Sequence, residues 1–407
     1  MGVSGILARS AATRVHVLLV EIPGYAVLRM RVEAAIASRG WVQADAPADA
    51  DVLLVCGDPT GPFVDPLEAV WCQLPSPRHR CTVPDAAAVG SVLDAIPAAL
   101  TDVRAQRADA RTRPLRVGDR STTDSGGNRD MSHDMGEMGR EGHDGGGMDM
   151  DMSGPAGIPL ASADESDRDS LEMDITHLTL GPVLPAWPAG LVARCTLHGD
   201  VIGDVSLEVL PGREPAVQES RNEPEGGTAG VGPERVSTGS DPGRSGSTET
   251  CPRPSTGAVI SAARLCDTAA RLLVVAGWDP VALKLYRVRD DLLNSSNSAA
   301  GPAAARARLL RVTRQIERSR TLRWSLSRIP RADGDRVGGV RDRLLAWLLS
   351  ATALLSGDAA APESPGWPHT LDNVREALIG QELTTARLTV ASVDPSCFAA
   401  LTEAAHG

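Results

Sequence analysis

Two long tracts limit what this chain can fold into. Residues 106–170 and 211–257 are dominated by Gly, Ser, Asp, Glu and Pro and carry few large apolar side chains. Such segments cannot bury enough surface to offset the entropy of ordering them, so they are expected to be disordered linkers. One continuous core through the chain is therefore excluded. Ordered structure is expected in three blocks instead, residues 10–105, 171–210 and 258–403.

The first block reads as an α/β domain with a parallel, flavodoxin-like sheet. "RVHVLLVEI" and "DVLLVCG" are short apolar runs without alternation, the pattern of strands covered on both faces. Between them "AVLRMRVEAAIASRG" has apolar residues at helical spacing and stops at Gly40. "DPLEAVWCQL" and "DAAAVGSVLDAIPAAL" read as two more helices. Strands alternating with helices imply a parallel sheet, whose chemistry usually lies at the carboxyl ends of its strands.

In the second block, β-branched runs around an "HGD" turn read as a small antiparallel unit ending near Leu210. The third block is expected to be mainly α-helical. Apolar stripes at helical spacing run through "GAVISAARLCDTAARLLVVAGW", "DPVALKLYRVRDDLL", "AAARARLLRVTRQIERSRTLRWSL" and "VGGVRDRLLAWLLSATALL", which suits an antiparallel bundle. A further helix and a strand-like "ARLTVASVD" close the block.

The net charge of −11 argues against nucleic acid as a partner, since that needs a basic face. Seven arginines between Arg306 and Arg323 form a local exception. Such a run usually forms a solvated face; the alternative is contact with acidic subunits or anionic headgroups. Seven scattered cysteines without a CxxC do not suit a local zinc or iron–sulfur knot. The short "VHVLLV" run does not read as a signal peptide, and no apolar stretch approaches the roughly 18 residues of a membrane span. A cytoplasmic location is expected.

Six of the nine methionines fall within one Gly/Asp-rich stretch, "MSHDMGEMGREGHDGGGMDMDMSG". Met131, His133, Met135, Met138, His143, Met148, Met150 and Met152 are the candidate metal ligands, because thioethers and imidazoles together favour Cu(I). Compositional drift in a linker produces the same pattern, and the sequence leaves both readings open.

Asp51, Val55 and Gly57, followed by Gln73, Leu74, Pro75, Pro77 and Arg78, match a strand-and-"QLPxPR" pattern. In this the first block resembles the iron–sulfur cluster subunit of the complex I and nickel–iron hydrogenase superfamily. "LGPVLPAWPAGLVARCTLHGDVI", "AARLCDTAARLLVVAGWDPVALKLYRVRDDLL" and the terminal "ASVDP", Ala391 to Pro395, are similar in order to the start, a helix pair and the closing strand of its partner. That partner is the quinone-site subunit, related to the hydrogenase large subunit. The resemblance implies two neighbouring subunits fused and shortened.

It also implies losses. The family's tandem cysteines correspond to Gly24, Tyr25 and Ala26; its next cluster ligand falls near Ala86, and its quinone-site histidines near Leu184 and Trp187 or Pro188. No Fe–S or Ni–Fe ligand set is therefore expected, and no catalytic or cofactor-binding residue is assigned. Cys56 reads as a small core residue. What the resemblance implies is a diverged, non-catalytic NADH–quinone oxidoreductase-like or hydrogenase-like subunit with a structural or assembly role. Its partners would be membrane-embedded and soluble subunits of such a complex, at the inner face of the plasma membrane. The alternative is a copper-binding protein acting through the Met/His tract.

Overall fold

A computed structural model of the chain describes residues 14–59, 61–113, 175–212, 254–294, 301–327, 329, 339–357 and 371–393. The first unit is a four-stranded parallel sheet built from β1 (His16–Glu21), β2 (Val42–Gln43), β3 (Val52–Cys56) and β4 (His79–Val83), in the order β2-β1-β3-β4. Every residue of β3 is buried, as its apolar run requires. Val52, Leu54 and Cys56 face α1 (Ala26–Ser38) and α3 (Val89–Thr101); Leu53 and Val55 face α2 (Val64–Gln73). Helices on both faces are what a sheet of unalternating apolar strands needs to leave water.

β4 has no counterpart among the expected elements. "HRCTV" has no apolar run, because it is an edge strand with only Val83 fully buried. The unit also extends past residue 105. A fourth helix, α4 (Val103–Thr112), begins at Asp102, whose side chain accepts from the backbone N–H groups of Arg104 and Ala105 at 2.9 and 3.1 Å. Residues 106–112 therefore belong to the domain, not to the linker. Arg78, the last residue of the "QLPSPR" signature, explains why. Its Nε and Nη2 donate to Asp109 at 2.8 and 3.0 Å, and its guanidinium lies 3.9 Å from the Trp71 ring centre.

The second unit is a three-stranded antiparallel sheet of β5 (Ile175–Leu180), β6 (Leu191–His198) and β7 (Val201–Val209), as the "HGD" turn predicts. It does not stand alone. Val183, Val192 and Leu210 join Leu18, Val20 and Ile22 on the α2 face of the parallel sheet. Leu191, Ala193, Cys195 and Val205 pack instead against α10 (Leu371–Leu378) and α11 (Leu383–Ala391).

The strand-like reading of "ARLTVASVD" is corrected: Leu383–Ala391 is a helix. Its β-branched residues favour strands, but Thr389 satisfies its hydroxyl on the Thr385 carbonyl (3.0 Å), and Val390 fills the small sheet's core. Packing overrides propensity here. The closing strand implied for Ala391–Pro395 is not formed over its described part, since Ala391 ends the helix.

The remaining helices make the expected α-helical region: α5 (Thr256–Val275), α6 (Asp279–Asn294), α7 (Gly301–Arg318), α8 (Arg320–Ser327) and α9 (Val340–Ser356). One apolar cluster runs through all five, from Ala262 and Leu273 through Leu285, Leu309 and Leu322 to Trp347. The long stripe expected as one helix breaks at Ser319 into α7 and α8.

Candidate functional site

β1 and β3 send their connections to opposite faces of the sheet, so the topological switch point lies between their carboxyl ends, at Glu21 and Cys56. A doubly wound fold usually leaves a crevice there for a ligand. In this chain side chains of the parallel-sheet unit and of the helical region converge on it, joined by a backbone carbonyl of the small-sheet unit.

Tyr25 comes first. It precedes α1, where the family resemblance places tandem cysteines, and its ring lies against Gly57 at the end of β3. A Cβ on Gly57 would stand 2.5 Å from that ring, and the φ of +104° there already favours glycine. Above the strand ends sits a buried charged seam. Arg29 of α1 donates to Glu21 (2.5 Å), Glu33 (2.6 Å) and, across to α5, Asp267 (2.5 Å). Arg289 of α6 binds Asp267 at 2.7 Å, and also Glu33 and Asp290. Arg271 adds a bond to the Trp187 carbonyl of the small sheet's leading loop (2.5 Å) and lies 3.9 Å from Glu21. The side chains of Arg29 and Asp267 are each 6% exposed, and that of Arg289 2%.

Burial alone would raise the Asp267 carboxyl, yet the guanidiniums of Arg29 and Arg289 hold it well below the usual carboxylate range. Arg29 is shifted the other way: burial opposes its charge, and Asp267, Glu33 and Glu21 more than compensate. Burial pushes the Tyr286 phenol well up, and its ring lies 4.6 Å from the Arg289 guanidinium. A seam this deep, with its charges matched, joins surfaces firmly. Each of its members is costly to remove singly.

The thiols are arranged differently. Cys56 is fully buried on the α1 face, and burial pushes its thiol well up; Cys81 is its diagonal neighbour on β4, pushed up to about 12 by burial. Both stay protonated and poorly nucleophilic. Cys72 is exposed on α2, on the opposite side of the sheet. Three thiols split between two faces cannot converge on one cubane, so these residues do not fit the [4Fe–4S] group of the resembling family. Among the described residues no three His, Cys, Asp or Glu side chains are grouped as metal ligands. Leu184 and Trp187, where the resemblance would place histidines, pack into the small sheet's core; the Trp187 indole N–H donates to the Leu191 carbonyl at 2.8 Å.

The candidate metal ligands Met131, His133, Met135, Met138, His143, Met148, Met150 and Met152 lie outside the described residues, as do Cys251 and Cys397. The seam itself was not anticipated. Its signal was available: Asp267 interrupts an apolar helix stripe between Ala263 and Ala270, where a carboxylate is buried only if paired. No family model, no curated protein and no solved structure matches this chain.

Proposed function

We propose that the chain is a diverged member of the complex I and nickel–iron hydrogenase superfamily, a fused and shortened pairing of its cluster and quinone-site subunits. Its role is structural or in assembly, within a membrane-associated redox complex. The observation that carries this reading is the seam of Arg29, Glu33, Asp267 and Arg289. It ties the unit resembling the cluster subunit to the helices resembling its partner, at the strand ends where a doubly wound domain usually does its chemistry.

The strand order β2-β1-β3-β4 supports a flavodoxin-like arrangement for the first unit. The role needs neither an iron–sulfur nor a nickel–iron centre. Partners are the membrane-embedded and soluble subunits of such a complex, and the chain sits peripherally at the cytoplasmic face of the membrane. None of its described helices is long and apolar enough to cross a membrane.

Two measurements test this. After anaerobic reconstitution the purified protein should carry no stoichiometric iron or acid-labile sulfide. From gently solubilised membranes the tagged protein should co-purify with integral subunits. A reduced paramagnetic cluster signal that disappears in Cys56→Ala would make the chain an electron carrier. Recovery only as a solitary protein would remove the assembly role. Copper handling through Met131–Met152 is the competing reading: it requires Cu(I) uptake that is lost when residues 131–152 are deleted.

A further inference from the structure

The arginine run of α7 is concave where it meets α6. Lys284, Arg287 and Val288 on α6 and Arg308, Arg311, Val312 and Gln315 on α7 line a groove of about 440 Å³. Each set follows the helical i, i+3, i+4 spacing, so each forms one face. Two side-chain ties cross between the helices. Lys284 Nζ donates to the Gln315 side-chain oxygen at 2.8 Å, and Arg308 pairs with Asp291. These two ties fix the antiparallel register and leave Arg287 and Arg311 between them, over a floor of Val288 and Val312, which are 1% and 6% exposed.

Two features separate this place from an ordinary solvated face. Arg287 and Arg311 are exposed, and among the described residues neither has a carboxylate within ion-pair distance, although the chain as a whole carries −11. Four cations stand around the groove against the single carboxylate of Asp291. Holding like charges together is unfavourable unless an anion bridges them. Guanidiniums are the side chains whose planar donors match phosphate oxygens in pairs. The volume suits a ligand of headgroup or nucleotide size.

We propose that the groove between α6 and α7 binds a phosphoryl or pyrophosphoryl group, with Arg287 and Arg311 as its principal ligands and Val288 and Val312 against the apolar part of the carrier. The phosphoryl group is borne either by a soluble metabolite or by an anionic phospholipid headgroup. The site is independent of the seam and of the family reading.

The full chain is melted at low salt against increasing pyrophosphate, and sedimented with phosphatidylcholine vesicles with or without phosphatidylglycerol. Arg287→Gln and Arg311→Gln, both at exposed positions, are compared with Arg264→Gln, an exposed position on α5 outside the groove. Binding should weaken roughly tenfold or more in each groove variant, the scale of a lost charge-assisted contact, and stay unchanged in Arg264→Gln. A pyrophosphate-dependent rise in melting temperature that the groove variants lose assigns a soluble ligand. Sedimentation that requires phosphatidylglycerol and is lost in the same variants assigns the headgroup. Binding of neither probe, or equal weakening in Arg264→Gln, overturns the proposal.

Discussion

Asp267 and Glu33 each bond both Arg29 and Arg289, and Asp267, the more deeply buried of the two carboxylates, does most to make the burial of the two guanidiniums tolerable. Asp267→Asn leaves two guanidiniums buried with one partner fewer each. Breaking a buried pair this way costs on the order of 3–5 kcal/mol, more than replacing all its members with apolar ones. The denaturant midpoint should fall accordingly with an unchanged slope; a loss under about 1 kcal/mol would place the seam in the class of exposed pairs. The pH dependence follows from the direction of the shift. Asp267 titrates lower in the folded chain than the roughly 3.9 of an unfolded aspartate, so its contribution is complete above about pH 4. It declines as pH falls below that and is gone below the folded value. Asp267→Asn should therefore flatten the acid limb of the stability curve and leave the neutral region's shape alone.

At the scale of elements, the sequence speaks clearly where burial is two-sided. β1 and β3 are legible because each carries an unbroken apolar run, Val17–Val20 and Val52–Cys56, and α1, α5 and α6 because their stripes are long. β4 is not, since an edge strand with one buried residue leaves no pattern. α11 is misread because its β-branched run answers to the sheet and helix around it rather than to its own preference. α4 carries no buried residue, so nothing in its hydropathy ties it to a domain. What tethers it are polar contacts to one residue, Arg78. Arg78 holds Asp109 below the usual carboxylate range through the hydrogen bonds it donates and through its charge, while Gln106 exchanges hydrogen bonds with the Arg78 backbone at 3.0 and 2.9 Å. Arg78→Met should cost roughly 1.5–3 kcal/mol, the range for hydrogen bonds to charged groups. The loss should be local: amide exchange in α4 should accelerate far more than in β3. If α4 keeps its protection, Gln106 rather than Arg78 is the tether.

At the scale of the molecule, composition separates the chain into blocks but says nothing of how they meet. Arg29 and Asp267 are 238 positions apart, and no local pattern announces such a pair. The meeting is nonetheless extensive. The small sheet covers the α2 face of the parallel sheet, α10 and α11 cover the small sheet, and α5 and α6 close the seam on α1. Apolar burial and matched buried charge act at the same junction. Two fragments, residues 1–113 and 175–407, should therefore associate when expressed separately, with the described contacts intact on both sides. Because the charges are buried, raising salt should weaken this association little, unlike exposed pairs, which are screened within about 10 Å at 0.1 M. Asp267→Asn in the longer fragment should weaken it sharply, since it strands the two buried guanidiniums. Size-exclusion chromatography of the mixed fragments reads all three cases. Separate elution of the unaltered pair would mean that the covalent connection, not the seam and the apolar contacts, holds the units together.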